Sequence, residues 1–387
     1  MSLFKNSLTE AAESDKSPPK DHIKEESGMT NKRKASSRRL PAAVFAASLL
    51  VGPAIPRATG AQVDVAPRPD ERRVDVQIGG APFTSYIWPE RLAKPVLFPI
   101  RTAGGTLVTR GFPLEPRAGE RVDHPHQVGL WLNYGDVNGV DFWNNSEALS
   151  PEEAAKMGTI HHRGISSTTS GADGGTLEVE ADWVMPDGST VLKDTTRYVF
   201  RGTEDTRTID RIATLAVPAG GGRVLFADNK EGALGIRVTR ALEEPSTKPE
   251  VFTDKSGKPT TVAAMNNEGV NGVYTSSEGL TGSAVWGTRA RWVALSGRVD
   301  DEDVVLLVLD HPGNPGYPTY WHARGYGLFA ANPLGQKVFS EGKEELNFAL
   351  EKGQSTVFRH RIAVLRGPFS AERAEAAWKA FVAEYPK

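Results

Sequence analysis

Alternation of apolar and polar residues dominates the chain after residue 62 and predicts β-strands. In "TLEVEADWV", Leu177, Val179, Ala181 and Trp183 fall on one face, and three acidic residues fall on the other. A period of two with one polar face is typical of an antiparallel strand in a sheet with one side in water. "TVLKDTTRYVF" and "TRTIDRIATLAV" follow after short breaks, and "QSTVFRHRIAVL" repeats the pattern near the C-terminus. The close spacing of the first three segments predicts a β-meander.

Other segments complete an all-β fold with few helices. "VVLLVLD", which begins at Val304, is continuously apolar and predicts a central strand buried on both faces. Ser150, Pro151 and Glu153 form an N-cap, a first-turn proline and a capping box, so they predict a short inserted helix. After the N-cap Ser370, apolar residues at helical spacing predict a C-terminal helix that packs on the outside of a sheet: Ala374, Ala377, Trp378, Phe381, Val382 and Tyr385. We therefore expect residues 62–387 to form one large antiparallel β-sandwich domain, with an extended supersandwich as the larger variant.

The first sixty residues have a different character. Residues 1–28 are polar and predict a disordered extension upstream of a true translation start at Met29. Residues 29–61 contain a basic stretch, an apolar run from Leu40 to Val51, and small residues at the usual cleavage positions, so they predict a signal peptide. We expect an exported protein, periplasmic or extracellular, whose mature chain begins near Gln62. Sec and twin-arginine export both stay open, as does a membrane-anchored N-terminal helix.

Composition excludes several classes of function. The chain has no cysteine, so thiolate chemistry is excluded and any metal would be held by His, Asp or Glu. A formal net charge of -2 gives no basic face for nucleic acid. No run of about twenty apolar residues follows the predicted signal peptide, so we expect no membrane-spanning segment after its cleavage. Composition leaves the oligomeric state open.

Four stretches interrupt the alternation and carry most of the candidate chemistry: "DHPHQVGLWLNYGDVNGVDFW", "ADNKEGALGIRV", "AVWGTRARWVALSG" and "LDHPGNPGYPTYWHARGYGLFAANPLG". They are rich in Gly and Pro, yet they hold several His and Trp residues. Such segments are costly to order unless they pack, and strand ends and loops carry function more often than strand centres do. We expect the four stretches to converge in one tryptophan-walled pocket at one end or face of the sandwich.

The candidate catalytic residues are Glu231, His124, His126 and His322. A carboxyl group in a crowded polar turn can have a raised pKa, and it can then exchange protons with one of the histidines. His124 and His126 project to the same side of an extended chain, so with His311 or His322 they could instead ligate zinc, copper or iron. A purely structural role, with the imidazoles capping strand ends, is the third interpretation.

Candidate substrate-binding residues surround these groups. Indole faces stack on sugar rings, amide and carboxylate groups read hydroxyls, and the planar forks of arginines orient a carboxylate or several hydroxyls. The candidates are Trp131, Asn133, Asp141, Trp143, Arg237, Trp286, Arg289, His311, Trp321 and Asn332. Five tryptophans lie in the four stretches, and we expect at least three of them to belong to the core.

The blocks "DHPHQVGLWLNYGDVNGVDFW", "GTIHHRG", "DNKEGALGIRV", "AVWGTRARWV" and "DHPGNPGYPTYWHARGYGLFAANPLG" together resemble the bacterial family named methane oxygenase PmoA-like. The resemblance covers roughly residues 85–340 and departs from the family pattern at Gln127 and Gly325. It implies an exported bacterial β-sandwich with no settled activity. A methane monooxygenase subunit of that name spans the membrane, so we interpret the oxygenase label as a misnomer. The predicted long antiparallel strands and these blocks also resemble the aldose-epimerase-like supersandwich.

The combined prediction is an exported protein that acts on an oligosaccharide or modified sugar by acid/base chemistry, through hydrolysis, elimination or epimerisation. The sequence requires no cofactor, although a divalent metal held by histidines stays open. Two alternatives remain: a non-catalytic glycan-binding β-sandwich, and a metal-dependent oxygenase with histidine ligands.

Overall fold

Two antiparallel sheets of eight strands each make up most of the protein in a computed structural model that describes residues 60–262 and 266–386. These residues belong to one compact unit. The predicted extension (1–28) and the predicted signal peptide (29–61), apart from its last two residues, lie outside the described residues. Among those described, no helix is both long enough and apolar enough to cross a membrane.

The strands follow one another in chain order as β1 Val63–Arg68, β2 Arg73–Ile78, β3 Ala81–Ile87, β4 Val96–Leu97, β5 Leu130–Tyr134, β6 Thr159–Thr169, β7 Gly175–Val184, β8 Thr190–Gly202, β9 Thr206–Ala216, β10 Val224–Phe226, β11 Gly232–Arg237, β12 Glu250–Thr253, β13 Pro259–Val262, β14 Val273–Ser276, β15 Trp292–Val299, β16 Glu302–Asp310, β17 Tyr320–Arg324, β18 Leu328–Asn332, β19 Phe348–Leu350 and β20 Ser355–Arg366. The α-helices are α1 Pro151–Ala154, α2 Gln336–Phe339 and α3 Ala371–Glu384, and short 3-10 helices span Pro69–Glu71, Arg240–Leu242 and Gly282–Val285.

Sheet 1 has the strand order β1-β2-β3-β4-β5-β11-β18-β17, and sheet 2 has the order β14-β15-β16-β20-β9-β8-β7-β6. β10 pairs with β19, and β12 pairs with β13, in two small antiparallel ribbons. In sheet 2, β7, β8 and β9 are consecutive antiparallel neighbours, which confirms the predicted meander. The all-β antiparallel sandwich predicted from the alternating segments is confirmed.

The main core lies between the two sheets, where alternate residues of each strand meet. Leu130 and Leu132 of β5 contribute from sheet 1, and Leu306 and Val308 of β16 contribute from sheet 2. As predicted, β16 is buried throughout its apolar run, because α3 covers the face turned away from sheet 1. Because α3 packs on sheet 2, it does not cover the outer face of sheet 1.

Local signals in the sequence correctly located the two helices that had been predicted. Ser150 caps α1 with a complete capping box, and the Ser370 side chain accepts a hydrogen bond from the backbone of Arg373 at the start of α3. The expectation that the acidic face of β7 is solvated was wrong at Asp182. This carboxylate is buried and forms ion pairs with Arg163 and Lys193, each at 2.7 Å.

Candidate functional site

The outer face of sheet 1 presents a mixed polar and aromatic surface on β5, β11, β18 and β17. Because side chains alternate along a strand, the residues between the core-facing leucines of β5 point outward. The strand register aligns Trp131, Gly235, Ala330 and His322 in one row across the four strands. A Cβ atom at Gly235 would lie 2.5 Å from Cζ2 of Trp131, so glycine is what lets the indole lie flat across β11. Small residues thus form the middle of this face.

The loop before β5 places His124 at the edge of this face. Nδ1 of His124 lies 2.5 Å from Oδ2 of Asp123, whose Oδ1 accepts hydrogen bonds from Arg237 at 2.6 Å and Arg110 at 2.9 Å. Burial acts to raise the pKa of Asp123, but Arg237, His124 and Arg110 together hold it well below its usual value. The carboxylate is therefore ionised and fixes the orientation of the imidazole.

His124 adopts a left-handed backbone conformation, with φ of 44°, which is uncommon for a residue other than glycine. Its carbonyl oxygen accepts hydrogen bonds from Arg110 at 3.0 Å and from the backbone of Gln127 at 3.0 Å. Its ring stacks on Tyr326 with centroids 5.0 Å apart and planes 5° apart. Several contacts thus hold the residue in a conformation that is costly in isolation, as is common at functional sites.

Glu231 ends the loop that leads into β11. The side chain of Asn332 donates hydrogen bonds to the carbonyl oxygens of Asn229 and Lys230 at 2.8 and 2.9 Å, and Asn229 in turn accepts one from the backbone of Glu231. The Glu231 side chain is 21% exposed, and within the described part of the chain its only ion pair is with Lys230 at 3.7 Å. Burial raises the pKa of Glu231, and Lys230 and His124 oppose this shift while Asp141 adds to it.

His322 and His126 are neutral members of the same cluster. Nδ1 of His322 lies 2.9 Å from the carbonyl oxygen of Lys230, so this nitrogen carries the hydrogen and Nε2 is an acceptor. Burial lowers the pKa of His322 to about 3. Burial also lowers the pKa of His126 well below its usual value, and its buried Nε2 has no hydrogen-bond partner among the described residues.

His124 lies at the centre of this arrangement. Its charge affects the pKa values of Glu231, His126 and His322, and its ring centroid is 5.7 Å from that of His126. The structure therefore brings together the four residues predicted as catalytic. We call these residues and the side chains around them the outer-face cluster: His124, His126, Glu231 and His322, with Asp123, Trp286, Arg324 and Tyr326.

The predicted substrate-binding residues divide into exposed and buried groups. Trp286 is 38% exposed and lies beside His322, with ring centroids 6.5 Å apart. Trp131 and Trp143 are buried and pack on each other with centroids 5.2 Å apart, beneath the outer-face cluster. Of these three tryptophans, Trp286 is the one placed to contact a ligand directly, whereas Trp131 and Trp143 pack beneath the residues of the cluster.

Four predicted polar binders have structural partners near the cluster. Asn133 is buried and donates to the carbonyl oxygen of Phe142 at 2.6 Å. Asp141 accepts hydrogen bonds from the backbone of the next turn. Asn332 holds the loop that carries Glu231, and Arg237 holds Asp123. These residues position the cluster rather than line it.

Three predicted site residues lie away from the outer-face cluster: Trp321, Arg289 and His311. Trp321 faces the core between the sheets because it alternates with His322 along β17, and its Nε1 donates to the carbonyl oxygen of Ala290. Arg289 donates to the carbonyl oxygens of Gly316 and Pro318 and pairs with Glu344, so it braces a loop. The expectation that all four stretches share one pocket was therefore wrong for the positions of Trp321, Arg289 and His311.

His311 lies on the other side of the sandwich, fully buried beside Phe381 of α3, with ring centroids 5.4 Å apart. It follows β16 of sheet 2, so it cannot join His124 and His126 around one ion. Nowhere in residues 60–262 and 266–386 do three or more His, Asp or Glu side chains form a group suited to a metal. The predicted three-histidine metal site is therefore not assembled. With Trp292 also buried, four of the five tryptophans lie in the interior, as expected.

Sequence reasoning missed three members of the outer-face cluster, Asp123, Arg324 and Tyr326, and also the neighbouring Lys94. Arg324 shares the outer face of β17 with His322, and period-two spacing from His322 would have identified it. Tyr326 follows in the same block. Lys94 is buried, donates from Nζ to the carbonyl oxygen of His126 at 2.7 Å, and lies 5.5 Å above the ring of Trp131. Burial lowers the pKa of Lys94 to about 7. No local pattern in the sequence marks this lysine.

A cavity of about 910 Å³ lies elsewhere, bordered by several arginines. Their charges are largely satisfied within the protein, since Arg240 pairs with Glu243 at 2.6 Å and Arg298 with Asp303 at 3.1 Å. No histidine borders this cavity, whereas the outer-face cluster holds three, one of them with a buried imidazole nitrogen that has no partner among the described residues. Such perturbed groups are typical of functional sites.

Comparisons with known proteins give a family and distant similarities in fold. No curated protein matches this chain. The GH36 alpha-galactosidase AgaB from Geobacillus stearothermophilus is similar with a TM-score of 0.35 and 13% identity over 79% of this chain, which spans 41% of that protein. A protein from Synechocystis sp. PCC 6803 has a TM-score of 0.32 and 10% identity, covering 84% of this chain and 100% of that one. A galactose mutarotase-like protein from Clostridium acetobutylicum has a TM-score of 0.36 and 8% identity, covering 80% and 99%. A family model matches residues 73–379, and the chain therefore belongs to DUF6807, a family of unknown function.

Proposed function

We propose that this protein binds a sugar over the outer-face cluster and transfers protons to and from it, with Glu231 and His124 as the exchanging groups. The observation that carries the proposal is the combination of a largely buried carboxyl group of raised pKa with a half-exposed histidine that an ionised carboxylate orients. Pairs of titratable groups whose environments differ in this way are typical of acid/base sites.

The geometry of His124 favours a proton-transfer role. Asp123 accepts the hydrogen of Nδ1, so Nε2 is the nitrogen left to exchange a proton with a ligand. An ionised carboxylate behind an imidazole also stabilises the imidazolium that forms when the ring takes a proton. The imidazole is 43% exposed, so a ligand can reach it.

The environment of Glu231 supports the complementary role. Its raised pKa brings the carboxyl group closer to neutral pH, where a group can both give and accept protons efficiently. His126 and His322 have pKa values too far below neutral pH to act as acids. We assign His322, whose Nε2 is an acceptor, the role of a neutral hydrogen-bond partner for a ligand hydroxyl, and we assign His126, whose Nε2 is buried, a supporting role in the cluster. Of the three predicted catalytic histidines, the proposal therefore selects His124.

Aromatic side chains beside these groups support a sugar as the ligand. Trp286 exposes its indole next to His322, and the ring of Tyr326 lies under His124. Sugar rings present apolar C–H faces to aromatic rings, while their hydroxyls need polar partners such as the imidazoles and the carboxyl group. Hydrolysis, elimination and epimerisation all use such a proton-transfer pair, so the reaction type is left to the experiment.

The test is a screen of neutral and acidic mono- and oligosaccharides in deuterated buffer, followed by NMR. New reducing ends report hydrolysis, vinyl protons report elimination, and deuterium at ring carbons reports epimerisation. We expect Glu231→Gln and His124→Asn to lower kcat by about 100-fold or more. The matched controls Glu204→Gln and His161→Asn alter exposed residues outside the cluster and should leave the rate unchanged.

Each outcome has a defined meaning. Loss of turnover in both cluster variants, with folding and control activities intact, supports the proposal. Sugar binding without any turnover indicates a glycan-binding module and refutes the catalytic part. If no sugar binds or reacts, the proposal as a whole is wrong.

We also propose that the protein is exported. The support is the basic and apolar pattern of residues 29–61 described above. Mass spectrometry of the protein made in a bacterial host should give a mature N-terminus near Gln62 in the periplasmic or secreted fraction. An intact N-terminus retained in the cytoplasm would contradict export.

A further inference from the structure

Arg324 is the member of the outer-face cluster whose charge has no counter-ion among residues 60–262 and 266–386. Its guanidinium is half-buried between two aromatic rings, 5.6 Å from the ring centroid of Trp286 and 5.7 Å from that of Tyr326. It forms no ion pair or side-chain hydrogen bond with any residue in the described part of the chain. In contrast, the nearby guanidinium groups of Arg110 and Arg237 both bind Asp123. A partly desolvated cation without a counter-charge is costly, so its retention beside a candidate site calls for an explanation.

The register of sheet 1 places Arg324 within the site rather than at its border. Arg324 and His322 lie two residues apart on β17 and therefore project from the same face. Leu328 pairs with both Arg324 and Arg237, which puts the two arginines in one row across the sheet. A ligand that lies over His322 and His124 therefore extends naturally towards the guanidinium of Arg324.

Arg324 leaves an uncompensated positive charge at this end of the cluster. Of the two permanent cations that act on His322, Lys230 pairs with Glu231 at 3.7 Å, whereas Arg324 has no counter-ion among the described residues. An uncompensated cation beside a candidate ligand site favours an anionic ligand.

We propose that the sugar bound at the outer-face cluster carries a negatively charged substituent, a carboxylate or a sulfate ester, and that Arg324 binds this substituent. The inference rests on the proposed function and names its substrate class. A guanidinium offers a planar pair of donors that matches the oxygens of either group, and the two flanking rings hold that plane in place. Trp286 then has two roles, since it contacts the sugar and confines the arginine.

The test compares matched sugars that differ only in charge. Isothermal titration calorimetry is performed with glucose and glucuronate, galactose and galacturonate, and galactose and a galactose sulfate, each as free sugar and as an oligosaccharide. For at least one pair, we expect the wild-type protein to bind the charged sugar about tenfold to a hundredfold more tightly than the neutral one. Raising the salt concentration should reduce this preference. The uronate and sulfate arms distinguish the two sources of negative charge.

Variants then assign the preference to one residue. Arg324→Gln should remove the preference for the charged sugar, because it removes the guanidinium that binds the substituent. Arg324→Lys keeps the charge but loses the planar fork, so it should retain part of the preference. The matched control Arg197→Gln alters an exposed arginine of β8 that has no ion pair with a described residue, and it should keep the full preference.

The possible results separate the two proposals. If the wild-type protein binds and turns over neutral sugars as well as charged ones, the inference is wrong and the proposed function stands. If Arg324→Gln is folded and keeps the preference, another residue binds the substituent and the inference is also wrong. If neither class of sugar binds or reacts, the proposed function fails, and the inference fails with it.

Discussion

Replacing Asp123 by Asn is the sharpest perturbation that the structure offers. The carboxylate accepts hydrogen bonds from Arg237 at 2.6 Å and from Arg110 at 2.9 Å, and it lies 2.5 Å from Nδ1 of His124. The side chains of Arg110 and Arg237 are 1% and 0% exposed. The variant therefore keeps the shape of the side chain but leaves two buried cations facing each other without their shared counter-ion.

The expected cost follows from this burial. Removing one partner of a buried ion pair costs about 3 to 5 kcal/mol, because a charge is left unpaired in the interior. Asp123 itself retains 23% exposure, so water partly screens the site and the lower end of that range applies. We expect Asp123→Asn to reduce the free energy of unfolding by about 3 kcal/mol at neutral pH. It should also misorient His124 and so lower any proton-transfer activity.

Urea unfolding followed by circular dichroism measures this loss, with Asp173→Asn, an exposed carboxylate, as the matched control. The pKa of Asp123 is lower in the folded state than in the unfolded state. Its contribution to the free energy of unfolding is therefore complete above the unfolded-state pKa of about 3.9, and it is lost as pH falls towards the folded-state pKa. The difference in unfolding free energy between wild type and Asp123→Asn should therefore become smaller at about pH 3. A loss below about 1 kcal/mol at neutral pH, or a gap that does not change with pH, would refute the assignment of Asp123 as the counter-ion of both arginines.

Two further predictions test the packing and the exposed face. Gly235→Ala should lower stability by about 1 to 3 kcal/mol in a thermal melt, because its Cβ would lie 2.5 Å from the indole of Trp131. The control Gly164→Ala should not lower stability, because the added atom has no neighbour within 4 Å. Equal effects of the two substitutions would show that the indole can move aside. Trp321→Ala should cost about 3 to 5 kcal/mol of stability because the residue is fully buried, whereas Trp286→Ala should be much less destabilising and should instead weaken sugar binding measured by calorimetry. The reverse pattern would contradict the assignment of Trp286 to the site and Trp321 to the core.

Much of the fold was predictable because its signals are local. The N-caps Ser150 and Ser370 depend on residues three positions away, and the strands of the meander depend on alternate residues. The burial of Asp182 was not predictable in this way. Its ion pairs with Arg163 and Lys193 come from the neighbouring strands β6 and β8, whose register relative to β7 the alternation does not specify.

The candidate site was predictable in part. Polar residues in glycine-rich strand ends led to His124, Glu231 and His322, which the structure brings together. Alternation along β17 would also have shown that Trp321 and His322 face opposite ways. His311 was beyond such reasoning, because its distance from the site depends on β16 belonging to sheet 2.

The sequence by itself determined that the chain folds into an antiparallel β-sandwich with a capped C-terminal helix, because strand period and helix caps depend on residues a few positions apart. Only the tertiary structure decided which ionisable groups meet. Arg237 reaches Asp123 across 114 residues of chain, and the carbonyl oxygen of Lys230 determines the tautomer of His322 across 92 residues. Such pairings follow from how whole sheets pack, and so the charges, pKa values and unpaired groups of the site could not be inferred from any local pattern.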